Sequence, residues 1–113
     1  MNPAAHRSVD SLEGLRDAMR TFAAERDWER FHLPKNLAMA LIVEAAELVE
    51  HFQWLTAEES ASLPPQKLDE VGEEIADVLL YLVRMADILG IDPVAAARAK
   101  MVKNARKYPA TKG

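Results

Sequence analysis

Two pairs of acidic residues recur along the chain with the same spacing. Glu44 and Glu47 stand three residues apart in the segment ALIVEAAELVEHFQW (40–54), and Glu74 and Asp77 do so in EEIADVLL (73–80). Residues three apart lie on one face of a helix, about one turn from each other. Both pairs stand inside or beside an apolar stripe, where an amphipathic helix normally keeps no carboxylate. If the two stripes face each other, four carboxylates converge.

Four converging carboxylates would be costly without a counter-charge. Like charges a few ångströms apart raise one another's pKa, and partial burial adds a desolvation penalty of several kcal/mol per ion. A hard divalent cation removes this conflict. Mg²⁺ prefers carboxylate oxygens and is often shared with substrate phosphates, whose charge it neutralises. The pattern therefore predicts a magnesium site at Glu44, Glu47, Glu74 and Asp77, with Mn²⁺ as a substitute ion.

Two other interpretations of the acids stay open at this point. Glu-x-x-Glu pairs on helices are commonly solvated, and the chain would then be a non-catalytic helical dimerisation or regulatory module. Di-iron bundles combine Glu from two helices with Glu-x-x-His from two others. The two helices predicted to carry the acids have no Glu-x-x-His step, and His51 follows Glu47 by four residues. An all-oxygen site is therefore favoured over iron or zinc.

Composition favours a globular, cytoplasmic chain. Of its 113 residues, 50% are hydrophobic and 28% charged, as in ordinary soluble domains. The net charge of -4 argues against a nucleic-acid polymer as the main partner, because binding one needs a basic face. The absence of Cys excludes disulfides and thiolate catalysis. The apolar runs are too short to span a membrane, and the opening MNPAAHRSVD has no signal-peptide core.

Helix signals fill the chain, and neither sustained alternation nor a hairpin turn occurs. A capping box of Asp10 and Glu13 predicts a first helix that fades near residues 26–27. Pro34 predicts the first turn of a second helix. The polar segment 55–66, which contains Pro-Pro, predicts a flexible connection.

A third helix is predicted over 68–89 with Gly90 as its stop, and a fourth runs from Asp92-Pro93 to about Lys107. These elements predict an all-α fold, a four-helix bundle-like subunit. Two apolar stripes should form its core. They are Leu37, Leu41, Leu48 and Phe52 on the second helix, and Val71, Ile75, Val78, Leu82 and Leu89 on the third.

The acidic spacing resembles the E-x-x-E…E-x-x-D signature of the all-α nucleoside triphosphate pyrophosphohydrolases, the MazG-like group. Four further blocks, in order along the chain, are similar to the dCTP pyrophosphatase branch: FAAERDWERFHLPKNL (22–37), ELVEHFQW (47–54), IADVLLYLVRMA (75–86) and KMVKNARKYP (100–109). The resemblance covers roughly 12–109. It implies hydrolysis of a (deoxy)nucleoside triphosphate at the α-phosphate, giving the monophosphate and pyrophosphate. The substrate would be dCTP or a modified or non-standard pyrimidine dNTP.

The resemblance also implies an assembly and a set of residue roles. The chain would be a single domain over 1–113 with flexible ends at 1–9 and 110–113. Its fold would be completed by oligomerisation, as a dimer or a tetramer. The four acids would bind the metal, and one of them would orient the attacking water. The substrate-binding residues would be Trp28, Lys35, Asn36, Trp54, Tyr81, Lys100, Asn104 and Arg106.

Most of these substrate-binding residues also have an ordinary structural interpretation. Tryptophans usually pack in a core or an interface, and Tyr81 could extend its hydroxyl to solvent. Cations favour helix C-termini because of the macrodipole, and Asn36 could simply cap a helix. One position departs from the family: Met19 stands where the animal dCTP enzymes carry a base-contacting His. A thioether does not replace that hydrogen bond, which relaxes the expected selectivity for cytosine.

Overall fold

The computed structural model describes residues 9–111. These residues form five α-helices and no strand: α1 (Leu12–Glu25), α2 (Pro34–Glu50), α3 (Ala57–Ser60), α4 (Pro65–Leu89) and α5 (Pro93–Lys107). One turn of 3-10 helix, Glu29–Phe31, lies between α1 and α2. The all-α prediction is confirmed, with four long helices and a one-turn helix between the second and third of them. Most of the two predicted flexible ends lies outside the described residues.

Local signals account for most helix ends, with one correction at α1. Pro34 and Pro93 stand in the first turns of α2 and α5, as predicted. The Asp92 carboxylate accepts the backbone N–H groups of Val94 and Ala95 at 3.0 and 3.2 Å. The predicted capping box of Asp10 and Glu13 is wrong, because the helix starts one residue later. Ser11 is the N-cap, and its Oγ accepts the Gly14 N–H at 3.0 Å.

The connection before α4 is more ordered than predicted. Its segment 57–60 forms α3, and α4 already begins at Pro65. Thr56 and Glu59 form a reciprocal capping box, in which the Thr56 N–H donates to Glu59 Oε1 at 2.9 Å and the Glu59 N–H donates to Thr56 Oγ1 at 3.1 Å. Two otherwise unpaired donors are satisfied in this way. The irregular part of the predicted connection therefore shrinks to residues 55–56 and 61–64.

Helix α4 is the centre of the fold, since both α1 and α2 pack along it. The fully buried apolar residues are Ala23, Leu37, Val71 and Val83. The α2 stripe is confirmed as the inner face, with Leu37 2% exposed and the others half-buried. The α4 stripe is only partly correct. Val71 and Val78 face inward, whereas Ile75, Leu82 and Leu89 are 53%, 46% and 50% exposed on a side that neither α1 nor α2 covers.

Helix α5 projects from the packed helices and has no buried residue. The Cα radius of gyration is 17.3 Å, against about 13 Å for a compact chain of this length. Large apolar side chains consequently stay exposed on each of the four long helices, including Phe22 on α1, Ile42 on α2, Leu82 on α4 and Met101 on α5. Among residues 9–111, every helix is either too short or too polar to form a membrane span.

Gly90, at the end of α4, and Gly72, within it, allow a test of whether the left-handed backbone at Gly90 requires glycine. Gly90 has φ 70°, the left-handed region, and a Cβ added at either glycine meets nothing within 4 Å. Gly90→Ala should therefore lose about 1 kcal/mol of unfolding free energy through backbone strain alone. Gly72 is exposed to solvent within α4, away from both helix ends. Gly72→Ala should therefore gain up to about 1 kcal/mol of unfolding free energy. Chemical denaturation measures both, and equal signs would contradict this interpretation.

Candidate metal and nucleotide site

The packing of α2 against α4 brings three of the four predicted acids together. One carboxylate oxygen from each of Glu44, Glu74 and Asp77 lies within 4.8 Å of the other two. Glu44 and Glu74 are half-buried between the helices, and Asp77 is exposed at the edge of the cluster. Glu47 is half-buried one turn along α2 from Glu44. It stands outside the trio, although it is close enough to act on the Glu44 carboxyl.

The cluster is electrostatically unsatisfied. Glu44 Oε2 and Glu74 Oε2 are both buried, and neither has a hydrogen-bond partner. Within residues 9–111, no Lys or Arg forms an ion pair with any of the four acids. The pKa of Glu44 is raised to about 7, chiefly because its carboxyl lies against that of Glu74. Burial adds to the rise, and the neighbouring Glu47 and Asp77 contribute further. The fold thus holds negative charge in place without supplying the positive charge to balance it.

The donor set fits a hard divalent cation. The three clustered groups offer only carboxylate oxygens, the ligands that Mg²⁺ and Mn²⁺ prefer. The two unpartnered oxygens are free to take an ion. Neither described histidine joins the cluster. His51 lies 4.0 Å from Glu70. His32 does follow Glu29 at Glu-x-x-His spacing, but it accepts a hydrogen bond from Arg84.

The two tryptophans stand in the segments that flank α2. Trp54 lies in the turn after α2 and is 87% exposed, so it has no place in the core of the described chain. Trp28 precedes α2 and is 44% exposed. Its ring meets those of Phe22 and His32 edge-on, with centroids 5.4 and 6.2 Å apart. Both indoles therefore offer open ring surface to a ligand.

The remaining predicted contacts fall into two groups. Tyr81 is half-buried on α4, one turn beyond Asp77, and Lys35 and Asn36 are exposed in the first turn of α2. Asn36 Nδ2 donates to the Phe31 carbonyl at 3.1 Å, so this side chain stabilises the segment that leads into α2. The other group stands on α5, which does not pack along the helices that carry the acids. It comprises Lys100, Asn104 and Arg106, all exposed.

Sequence reasoning missed a polar network behind Trp28. Arg84 is 4% exposed, and it is the buried charged residue of the described chain. Its Nε donates to His32 Nδ1 at 3.0 Å, and its Nη1 lies 3.5 Å from Asp87 Oδ2. Asp87 in turn accepts from Nε of Arg20 at 2.7 Å. The available signal was a single Arg inside the apolar run YLVRMADIL (81–89), where an unpaired charge would be costly.

Comparisons with known proteins agree with this fold. The MazG-like family model matches residues 39–113. Human dCTP pyrophosphatase 1 is 45% identical over 102 residues, which cover 88% of this chain and 60% of that protein. The Bos taurus dCTP pyrophosphatase 1 is 42% identical over 109 residues, covering 95% and 64%. A pyrophosphatase structure from Archaeoglobus fulgidus superposes with a TM-score of 0.83 at 43% identity, covering 93% of this chain and 98% of that one.

The chain therefore belongs to the MazG-like family. It spans less than two thirds of the length of the curated relatives that it matches, 60% of the human protein and 64% of the bovine one. The resemblance inferred from the acidic signature is confirmed at the level of the family.

Proposed function

We propose that this protein is a divalent-metal-dependent nucleoside triphosphate pyrophosphohydrolase that acts on dCTP or on modified or non-standard pyrimidine dNTPs. The observation that carries the proposal is the cluster of Glu44, Glu74 and Asp77, with two buried oxygens that lack partners. The dCTP pyrophosphatase 1 relatives, at 42% and 45% identity, support the substrate class. Water attacks the α-phosphorus, the bond to the bridging α–β oxygen breaks, and the products are the monophosphate and pyrophosphate.

The acids divide two tasks between them in this proposal. Glu44, Glu74 and Asp77, with Glu47 beside them, hold Mg²⁺ or Mn²⁺. The ion, when bound, supplies positive charge that offsets the carboxylates and the triphosphate. One of the four carboxylates orients the attacking water and accepts its proton. Because the cluster sits at the edge of the α2–α4 contact, with Asp77 exposed, the phosphates can approach from solvent.

Other residues of the chain bind the rest of the nucleotide. Trp28 and Trp54 stack on the base, and their exposure leaves ring surface for it. In one copy they stand at opposite ends of α2, a helix of 17 residues and roughly 25 Å, so the two indoles at one base come from two copies of the chain. Lys35, Asn36 and Tyr81 contact the sugar and phosphates from α2 and α4. Met19 is half-buried on α1 and offers the base no hydrogen bond, so we expect discrimination between pyrimidine bases to be modest.

We propose further that the site is completed by a second copy of the chain, in a homodimer or a dimer of dimers. Two features support this. Uncovered apolar rows run along α2 and α4: Met39, Ile42, Val43, Val49, Leu68, Ile75, Leu79, Leu82 and Leu89. Helix α5 also projects from its own core, and it carries the proposed phosphate contacts Lys100, Asn104 and Arg106. An exposed apolar surface of this extent is typical of an interface.

A product assay across a panel of dNTPs and NTPs tests the activity. We expect dCTP and its 5-substituted analogues to give the monophosphate and pyrophosphate in equal amounts with Mg²⁺ or Mn²⁺, and no products in EDTA. Release of orthophosphate from the γ-position, or turnover unchanged by EDTA, would contradict the proposal. A non-catalytic dimerisation module would instead show no turnover. It would also gain no thermal stability from Mg²⁺ together with a non-hydrolysable dCTP analogue, whereas ligands that bind the native state raise it.

A further inference from the structure

Arg84 occupies an unusual place for a cation. It is 4% exposed, between residues that pack α4 into the fold. A buried guanidinium is tolerated only when its donors are well paired. Here the pairing is directional, because Nε donates to His32 Nδ1 at 3.0 Å while Nη1 faces Asp87 at 3.5 Å. The side chain therefore joins the C-terminal third of α4 to the segment between α1 and α2.

The hydrogen bond fixes the state of His32. Because Nδ1 accepts from Arg84, the imidazole is neutral and carries its proton on Nε2. Burial, and then the charge of Arg84, lower the pKa of His32, which keeps the ring neutral near pH 7. With one ring nitrogen committed to Arg84, the plane of the imidazole has little freedom to turn.

His32 in turn supports Trp28. The two rings meet edge-on with centroids 6.2 Å apart and an interplanar angle of 62°. Phe22 holds the indole at 5.4 Å and 67°. The Trp28 backbone N–H donates to the Ala23 carbonyl at 2.9 Å, and Asp27 just before it adopts a left-handed φ of 54°. The indole is thus held by two neighbouring rings while 44% of the residue stays exposed.

The far end of the network is anchored as well. Asp87 accepts from both Nε and Nη2 of Arg20, which ties α4 to α1. The pKa of Asp87 is lowered, chiefly by this hydrogen bond, so its carboxylate stays charged to pair with Arg84. A continuous chain of polar contacts therefore runs from α1 through α4 to the imidazole beside Trp28.

We propose that Arg84, acting through His32, positions the Trp28 ring for the nucleotide base and so sets the KM of the enzyme without touching the substrate. This inference rests on the proposed function, in which Trp28 stacks on the base. Arg84 is a positioning residue here. A loose indole would lose part of its stacking energy through added disorder, while the acids that perform the hydrolysis would be unaffected.

Two substitutions of Arg84 separate the hydrogen bond from the bulk and charge of the side chain. Arg84→Met places a methyl group where Nε stands and removes the donor. Arg84→Gln keeps an N–H donor at the same distance along the side chain and likewise removes the charge. Removing one member of a buried ion pair is usually destabilising, but Asp87 keeps Arg20 as its partner after either substitution. His32→Leu removes both the hydrogen-bond acceptor and the ring beside Trp28, so it tests the last step of the network if Arg84→Met does not fold.

The measurements report on Trp28 and on catalysis separately. The chain has two tryptophans, so a Trp54→Phe background leaves Trp28 as the sole indole for acrylamide quenching. Arg84→Met should raise the quenching constant about twofold as the ring is released, and should raise the KM for dCTP about tenfold with kcat nearly unchanged, as expected for a lost share of stacking. Arg84→Gln should restore both values toward those of the background protein.

The outcomes discriminate between the two proposals. Unchanged quenching and KM in Arg84→Met, or equal changes in Arg84→Met and Arg84→Gln, would overturn the positioning role. An unchanged KM in Trp28→Ala would instead overturn the proposed stacking of the base. In that case, the quenching difference between the Met and Gln variants would still report the contact between Arg84, His32 and the indole.

Discussion

Glu44→Gln should make the metal-free protein more stable near neutral pH and should lower dCTP hydrolysis by about a thousandfold or more, because the proposed ion supplies several kcal/mol of charge stabilisation. The substitution removes one of the crowded carboxylates and leaves an amide N–H that can donate to the unpartnered Glu74 Oε2. Stability and activity should therefore move in opposite directions, as at other strained functional sites.

The pH dependence of stability gives the same prediction a second readout. The pKa of Glu44 rises from 4.5 to about 7 in the folded chain. Between these values the native state binds more protons at this site than the unfolded state does. Metal-free stability should therefore fall as the pH rises through this window, and the loss is complete above it. Glu44→Gln should show a smaller fall, which urea titrations in EDTA at about pH 5 and pH 8 can measure.

Glu50→Gln is the matched control for both readouts. Glu50 lies on the same helix and is exposed, and its substitution makes the same change in charge. It should leave both the turnover and the pH dependence at wild-type values. Wild-type turnover in Glu44→Gln, or a metal-free protein that is less stable near neutral pH, would refute the role assigned to the cluster.

Trp54→Ala should raise the KM for dCTP about 5- to 150-fold, which corresponds to the loss of one base–aromatic stacking contact. The side chain is 87% exposed, so the described chain loses almost no packing, and we expect an unchanged melting temperature. Steady-state kinetics and a thermal melt on the same preparation test both halves of the prediction.

Trp54→Phe is the control for this second prediction, since it keeps an aromatic face and should cost less affinity than Trp54→Ala. A fall in melting temperature with an unchanged KM would assign Trp54 to an interface between copies of the chain. Equal KM values for the Ala and Phe variants would exclude stacking as its contribution.

Local chemistry explains which parts of the fold were predictable. Pro34, Gly90 and the Asp92-Pro93 step determine helix ends through their own backbones, and the structure places those ends where they were predicted. Ser11 and Asp10 are both good N-caps, so the sequence left that boundary uncertain by one residue. Thr56 and Glu59 have the spacing of a capping box, which indicates a helix start. The nearby Pro64-Pro65 favours an irregular segment, and that signal determined the prediction.

Packing between helices explains what could not be predicted. Spacing places Glu74 and Asp77 on one face of a helix, but only the register of α2 against α4 decides that Glu44 joins them while Glu47 stands aside. The same register turns Ile75, Leu82 and Leu89 away from the core. Aliphatic periodicity on a helix buried on two sides does not reveal which row remains uncovered. Arg84 was missed because its partner His32 is 52 residues away in sequence.

Helix α4 directs different side chains toward different neighbours along its length. Glu74 faces Glu44 of α2, Arg84 meets His32, and Asp87 holds Arg20 of α1. One residue inserted between Asp77 and Arg84 would rotate everything beyond it by about 100° relative to the acids. Both the acidic cluster and the support of Trp28 therefore depend on α4 having no insertion or deletion between Asp77 and Arg84. Over evolutionary time, length changes should accumulate in segment 61–64 and be excluded from α4.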